Sequence, residues 1–284
     1  MVITIASGKG GTGKTAVTVN LAQTVIAAGH SVQVLDADVE APNLHLFLKP
    51  KIERETTISA LVPRVDEALC SLCGRCAEVC EYHAIGVFGT SVLVFPELCH
   101  ACGGCALACP EKAITEFDHP IGTLRQGTIG SAATFVEGRL AIGEAKAPPI
   151  IRQVKKLIDR EALTFIDAPP GNSCPAVEAM KGSDYILLVS EPTPFGLYDL
   201  RMTVEIVRNM RVPFGLIINK AGIGNREMYE FSEENHIDIL AEIPFRRDLA
   251  AVYAAGEIWV DRFPEMRESF AGVLSKVMLS GRTA

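Results

Sequence analysis

With 284 residues, 48% of them hydrophobic, the chain carries enough apolar side chain to bury a substantial core, which excludes a mainly disordered polymer. A net charge of −7, with Lys and Arg scattered, gives no basic face for a phosphate backbone, so nucleic acid is excluded as the main partner. No apolar run approaches the roughly 20 residues that cross a bilayer, and no basic-then-apolar leader precedes the first strand, so the expectation is a soluble, cytoplasmic protein without stable membrane insertion.

The first apolar run, residues 2–7, reads as a buried strand and feeds Gly8-Lys9-Gly10-Gly11-Thr12-Gly13-Lys14-Thr15, an instance of G-x-x-x-x-G-K-[ST]. A helix over 15–28, closed by Gly29, follows, so the motif has the strand-loop-helix setting in which it binds phosphate. The glycines let consecutive backbone N–H groups face the phosphates, and the helix N-terminus adds its positive end. Lys14 is expected on the β and γ phosphates and the Thr15 hydroxyl on magnesium, with Gly8, Lys9, Gly10, Gly11, Thr12, Gly13 and Ala16 completing the nucleotide contacts. The run at 31–35 ends in Asp36-Ala37-Asp38, two carboxylates suited to holding magnesium and orienting a water for in-line attack. A second role stays open for Asp36, capping the helix that follows.

The alternation of short strands and helices breaks near residue 60 and resumes near 150, and eight of the nine cysteines lie inside the break. Cys70, Cys73, Cys76 and Cys80 recur 29 residues later as Cys99, Cys102, Cys105 and Cys109; Val65, Leu69, Gly74, Ala77, Ala84 and Ile85 recur as Val94, Leu98, Gly103, Ala106, Ala113 and Ile114. This is a duplicated half-module. Both groups have the spacing C-x2-C-x2-C-x3-C, the second running into Pro110 where the first has Glu81, and the pair resembles the bacterial ferredoxin signature. That resemblance implies two 4Fe-4S clusters with the fourth cysteines exchanged: Cys70, Cys73, Cys76 and Cys109 on one, Cys99, Cys102, Cys105 and Cys80 on the other. Zinc held by four thiolates is the structural alternative. The expected division is a nucleotide domain over 1–61 and 118–284, interrupted by a ferredoxin-like domain over 62–117, with hairpins and loops over 118–150 returning the chain.

Further strands are expected over 163–166, 185–190, 214–219 and 237–243, continuous apolar runs of the kind buried on both faces, with a helix carrying Leu197, Leu200, Val204 and Val207 before Pro213. The fold class is therefore α/β, a mostly parallel doubly wound sheet with an inserted small α+β domain. Strand 163–166 delivers Asp167, expected on a magnesium-bound water, and then Pro169-Pro170-Gly171; the bare Gly171 backbone can approach a γ-phosphate closely and flip. Asn219-Lys220 closes another strand. Met266, Phe270, Val273, Leu274, Val277 and Met278 share one face of a C-terminal helix, whose expected fate is packing against the domain because its polar face is not strongly basic.

Lys9 within the glycine loop, with the strand-end motifs, makes the chain resemble the MinD/ParA and nitrogenase iron protein superfamily of deviant Walker A ATPases. The cysteine insertion makes it similar to members with an inserted ferredoxin domain, as in orange protein complex-associated ATPases. The resemblance implies ATP/ADP with Mg2+ and a nucleotide-sandwich dimer, made with itself or a paralogue, in which Lys9 reaches nucleotide across the interface. It implies that Asp38 positions the nucleophilic water, with Asp36 nearer the metal and Asn43 ending the same switch. Asn219 and Lys220 would meet the purine, and the stretch from Pro244 to Gly256 would form the second wall of the base pocket. Gly222 stands where guanine-specific relatives have Asp, which points to ATP. Cys174 has the spacing from Asp167 of the bridging-cluster cysteine in the nitrogenase iron protein, but residues 110–173 hold no second cysteine, so a thiol without ligand role is expected. A redox or metal-cluster protein is the implied partner. Three functions compete: an ATP-gated electron donor, a metal-cluster carrier or assembly factor, and a positioning ATPase with structural or sensory clusters.

Overall fold

The computed structural model describes residues 1–131 and 133–280. The chain enters through β1 (Val2–Ala6), α1 (Lys14–Ala27), β2 (Val32–Asp36) and α2 (Leu44–Leu48). Two long strands follow, β3 (Lys51–Val65) and β6 (Ile114–Ile129), with α3 (Arg75–Glu78), β4 (Ile85–Phe88), β5 (Ser91–Val94) and α4 (Gly104–Ala108) between them. Then come β7 (Ala133–Leu140), α5 (Ala147–Lys155), β8 (Leu163–Asp167), α6 (Cys174–Met180), β9 (Tyr185–Ser190), α7 (Pro194–Met210), β10 (Phe214–Ala221), α8 (Glu227–Glu234) and β11 (Ile239–Pro244). The described chain closes with α9 (Arg247–Ala254), α10 (Trp259–Arg262) and α11 (Pro264–Ser280).

Nine strands make one sheet in the order β11-β10-β9-β1-β8-β2-β7-β6-β3, parallel except for β6, which runs against both its neighbours. The central strands β1, β2 and β9 are buried along their whole length, as unbroken apolar runs require, and helices cover both faces. On one face Val17 and Leu21 of α1 and Phe270 and Val273 of α11 pack with Phe135 and Phe165 of the sheet. On the other, Ile150 and Val154 of α5, Met180 of α6 and Leu200 and Val204 of α7 pack with Leu35 and Ile166. The apolar face of α11 is thus part of the core, with Lys276 Nζ donating to the Leu240 carbonyl at 3.0 Å; only Met278 of that face lies exposed. Among the described residues no helix is long and apolar enough to cross a membrane.

Strands β3 and β6 were not legible in the sequence because much of the ribbon is polar, as in Glu53-Arg54-Glu55. They pair from Lys51↔Thr128 to Val65↔Ile114, whereas β7 holds β6 only between Gly122 and Ile129. The remainder is a two-stranded arm carrying residues 66–113, and the expected limits at 61/62 and 117/118 fall within its strands. Inside that segment the 29-residue repeat is a repeat of backbone. Leu72 and Ala101 (φ 58° and 53°), Gly74 and Gly103 (79° and 72°) and His83 and Lys112 (51° and 52°) all take the left-handed conformation in equivalent pairs. Non-glycine residues avoid this region unless their surroundings impose it, so each half is built around the same constrained loop.

Candidate functional site

A pocket with ≈ 980 Å³ of empty space, its open mouth included, lies at the carboxyl ends of the parallel strands. This is where an open α/β sheet places ligands. Gly10, Gly11, Gly13, Lys14, Thr15 and Ala16 form one end of it; Asp38, Asn43, Asn219, Lys220 and Pro244 line it further on. Phe245, Leu249, Tyr253 and Trp259 line it as well. Tyr253 is fixed there by stacking on Phe47 (4.7 Å between centroids), and Trp259 by donating Nε1–H to the Leu249 carbonyl at 2.8 Å. The pocket is therefore lined by the glycine loop and polar side chains together with the aromatic rings of Phe245, Tyr253 and Trp259.

The glycine loop is braced from β10. Asn219 Nδ2 donates to the Thr12 carbonyl at 2.7 Å, and Asn219 Oδ1 accepts from Lys220 N–H at 2.9 Å. Gly13 makes this possible: its φ is 100°, and a Cβ there would lie 2.2 Å from Asn219 Nδ2. With Gly13 turned in this way, α1 begins at Lys14 with no acidic residue in its first turn, leaving its free N–H groups toward the pocket. Asn219 is thus a brace for the phosphate loop as well as a pocket residue.

Thr15 Oγ1 donates to Asp167 Oδ2 at 2.8 Å and Thr18 Oγ1 to Asp167 Oδ1 at 3.1 Å. Asp167 sits in register with Asp36, and Asp36 in turn with Glu137, so three carboxylates stand side by side across β8, β2 and β7. Glu137 is neutralised by Arg125 and Arg139, at 2.9 and 3.1 Å. Asp36 does not line the pocket. Its carboxylate accepts N–H groups from Asp38 (3.2 Å), Asn43 (3.0 Å) and Leu44 (3.0 Å), which is the capping geometry that the sequence left open beside a place nearer the metal. Burial, then the neighbouring Asp167, pushes Asp36 well above the usual carboxylate range, and the same two causes push Asp38 up to about 6. Burial raises Asp167 as well, against the pull of Lys14. Burial lowers Lys14, with Asp167 and Asp38 opposing. Lys14 thus faces two carboxylates, Asp167 and Asp38, a balance that a bound cation would correct. Asn43 Oδ1 and Thr12 Oγ1 are buried without a hydrogen-bond partner among the described residues.

Lys9 lies outside the pocket lining, paired to Glu191. The other oxygen of Glu191 takes Lys220 at 2.8 Å, and Lys220 also donates to the Gly11 carbonyl at 3.3 Å. Burial opposes ionisation of Glu191, but Lys220 and Lys9 hold its carboxyl below the usual range. Sequence reasoning passed over Glu191, although it follows directly on β9 at the edge where Asp36 and Asp167 end their strands. Gly8 packs so closely that a Cβ would lie 2.5 Å from the Asp199 carbonyl oxygen. Gly171, at φ 90°, donates its N–H to the Ser7 carbonyl at 2.9 Å, one residue before the glycine loop. Cys174 is exposed at the first residue of α6.

The other eight cysteines gather on the arm. Cys70, Cys73, Cys76 and Cys109 line one cavity with Val65, Val87, Val92 and Ile114, so the fourth residue of the second group stands with three of the first. Cys99 packs instead with Cys80, beside Val62 and Phe117. Burial pushes the Cys76 thiol up, and Cys70 and Cys73 add to this; burial pushes Cys105 up to about 11, with Cys99 and Cys102 adding. Backbone N–H groups reach sulfur at equivalent places, from Ala84 to Cys80 Sγ and from Ala113 to Cys109 Sγ, both at 3.3 Å. Among the described residues no three of His, Cys, Asp and Glu are grouped to hold a single metal ion. The first set surrounds a space; it does not converge on a point.

A family model of the CobQ/CobB/MinD/ParA nucleotide binding domain matches residues 3–259. The chain belongs to that family. The match spans the arm and ends on Trp259, the last pocket residue, so this CobQ/CobB/MinD/ParA domain includes both the phosphate loop and the aromatic wall. The chain is similar to an uncharacterized protein of Methanocaldococcus jannaschii, 31% identical over 281 residues, covering 98% of this chain and 96% of that one. An iron-sulfur cluster carrier protein of Methanococcus maripaludis is 25% identical over 226 residues, 78% of this chain and 60% of the carrier. Among solved structures, the cell division ATPase MinD of Pyrococcus furiosus superposes with a TM-score of 0.61 over 98% of both chains at 22% identity, a likeness of fold.

Proposed function

We propose that this member of the CobQ/CobB/MinD/ParA family hydrolyses ATP and couples nucleotide-driven closure of a dimer to electron transfer through two 4Fe-4S clusters. The observation that carries the reading is the cavity shared by Cys70, Cys73, Cys76 and Cys109, because four thiolates drawn from both groups are what nested ligation requires. Cys99, Cys102, Cys105 and Cys80 would hold the second cluster. When bound, each cluster supplies a one-electron carrier.

At the nucleotide pocket, the α1 amides and Lys14 would hold the phosphates, and Thr15 with Asp167 would hold magnesium, directly and through water. Asp38 would orient the attacking water, toward which the unpartnered Asn43 Oδ1 is available. The wall from Pro244 to Trp259 suits a purine, with Tyr253 offering an aromatic surface. Lys9 would leave Glu191 to reach a second protomer's nucleotide. A redox or metal-cluster protein would accept or supply the electron.

A second reading rests on the similarity to the cluster carrier and on the MinD fold: a carrier, or a positioning ATPase in which the clusters are structural or sensory. Anaerobic purification followed by iron, sulfide and zinc analysis and an ATPase assay tests the proposal. About eight irons with matching sulfide, and hydrolysis that Lys14→Ala abolishes, are expected. Zinc in place of iron overturns the cluster reading.

A further inference from the structure

The segment between β7 and α5, residues 141–146, touches both the nucleotide switch and the second cysteine group. On the nucleotide side Asp38 lines the pocket, and the next residue, Val39, accepts the Leu140 N–H at 2.8 Å. Gly138 keeps this contact close, since a Cβ there would lie 2.8 Å from Val39 Cγ1. The following residue, Ala141, donates to the Ile121 carbonyl of β6 at 2.9 Å.

On the cysteine side the link is Lys146, only 5% exposed. Its ammonium donates to the Pro96 carbonyl and pairs with Glu144 Oε2 at 3.0 Å, while Glu144 Oε1 meets His119 Nε2 at 2.7 Å. The same Pro96 carbonyl accepts the Cys99 N–H at 3.1 Å. Ala101, between Cys99 and Cys102, packs against the core of the ATPase body and donates its N–H to Cys99 Sγ at 3.4 Å. A buried ammonium is costly to leave unpaired, so Lys146 binds the 141–146 segment and the Cys99 loop into one unit. Cys76 packs at Val65↔Ile114, the end of the ribbon, with Cys80, Cys105 and Cys109 against the same cluster, whereas Cys99 packs at Val62↔Phe117, nearer the body.

We propose that Lys146 is a positioning residue that delivers nucleotide-dependent movement of residues 38–43 to the Cys99 loop. A displacement of Val39 moves Leu140, the 141–146 segment carries it to Pro96, and the hydrogen bonds at Cys99 change in turn. Hydrogen bonds to cluster sulfur set reduction potential, so the cluster that Cys99 serves responds to nucleotide. This rests on the cluster reading given above.

The test uses the anaerobically purified full chain, with potentials followed by electron paramagnetic resonance with no nucleotide, with Mg-ADP and with a non-hydrolysable ATP analogue. The wild type is expected to show a nucleotide-dependent shift in one of its two clusters. Lys146→Met is expected to keep its iron and lose that shift, and Lys146→Arg to keep both. A shift that survives unchanged in Lys146→Met overturns the relay alone; a wild type without any shift overturns the coupling on which it rests. Should Lys146→Met fail to load iron, hydrogen exchange on the wild type decides. Nucleotide is expected to alter exchange in 38–44 and in 95–99, and a change confined to 38–44 overturns the proposal.

Discussion

Glu191 holds Lys9 on the body of its own chain, and through its second oxygen it holds Lys220 beside the glycine loop. In this arrangement the lysine that marks the phosphate loop is engaged in an internal ion pair. Replacing Glu191 by Gln removes the charge that retains it. Glu191→Gln is expected to raise the fraction of dimer formed with a non-hydrolysable ATP analogue, measured by light scattering, whereas Lys9→Ala is expected to abolish that dimer. The exposure of Lys9 and Lys220, 28% and 35%, makes the effect modest, a few-fold in the dimerisation constant.

Asp38 sets a pH dependence. Its carboxyl is raised to about 6 by burial and by Asp167, and a bound magnesium ion favours the charged form. Proton and metal therefore compete. Affinity for Mg-ADP is expected to rise with pH from 5 through 6 and to level off by about 7.5, with proton release on binding below that point. Isothermal titration in buffers of different ionisation enthalpy measures both, and Asp38→Asn is expected to reduce the dependence without abolishing it, because Asp167 is also raised to about 6.

Nested ligation makes an unusual statement about pairs of cysteines. Cys70→Ser with Cys109→Ser is expected to remove one cluster and leave about four irons, because under the proposed exchange both residues would serve the same cluster. Cys70→Ser with Cys80→Ser is expected to damage both. Iron content of anaerobically prepared double variants checks this, and equal losses in the two pairs would argue against the exchange.

Phe270 is 1% exposed where α11 meets the sheet, so Phe270→Ala is expected to cost about 3–5 kcal/mol in urea denaturation. Met278→Ala, on the exposed edge of the same helix, is expected to cost under about 0.5 kcal/mol.

The features legible in the sequence are those made by consecutive residues. The glycine loop needs Gly13 next to Lys14, Asp167 ends an apolar run, and the 29-residue repeat that returns in the backbone angles of Leu72 and Ala101 was already written in the cysteine spacing. What escaped depends on distant residues meeting. Glu191 matters because Lys9 and Lys220 fold onto it, and Trp259 enters the pocket because α10 packs beside α9. The β3–β6 ribbon escaped for a different reason: β3 is the edge strand of the sheet and its first half, residues 51–57, is largely exposed and polar, so it carries little of the apolar signal by which buried strands are read. Asp36 shows the limit of strand-end reasoning, since one carboxylate at such a place can serve a metal or three backbone N–H groups, and the burial that distinguishes them is tertiary.

The most direct test of the proposed nucleotide-to-cluster coupling is the steady-state ATPase rate of the same anaerobic preparation, measured once after oxidation and once after reduction of the proposed clusters. Coupling requires the two rates to differ, with Lys14→Ala inactive in both states. Equal rates, in protein that retains about eight irons throughout, would contradict it and favour a positioning ATPase whose clusters are structural.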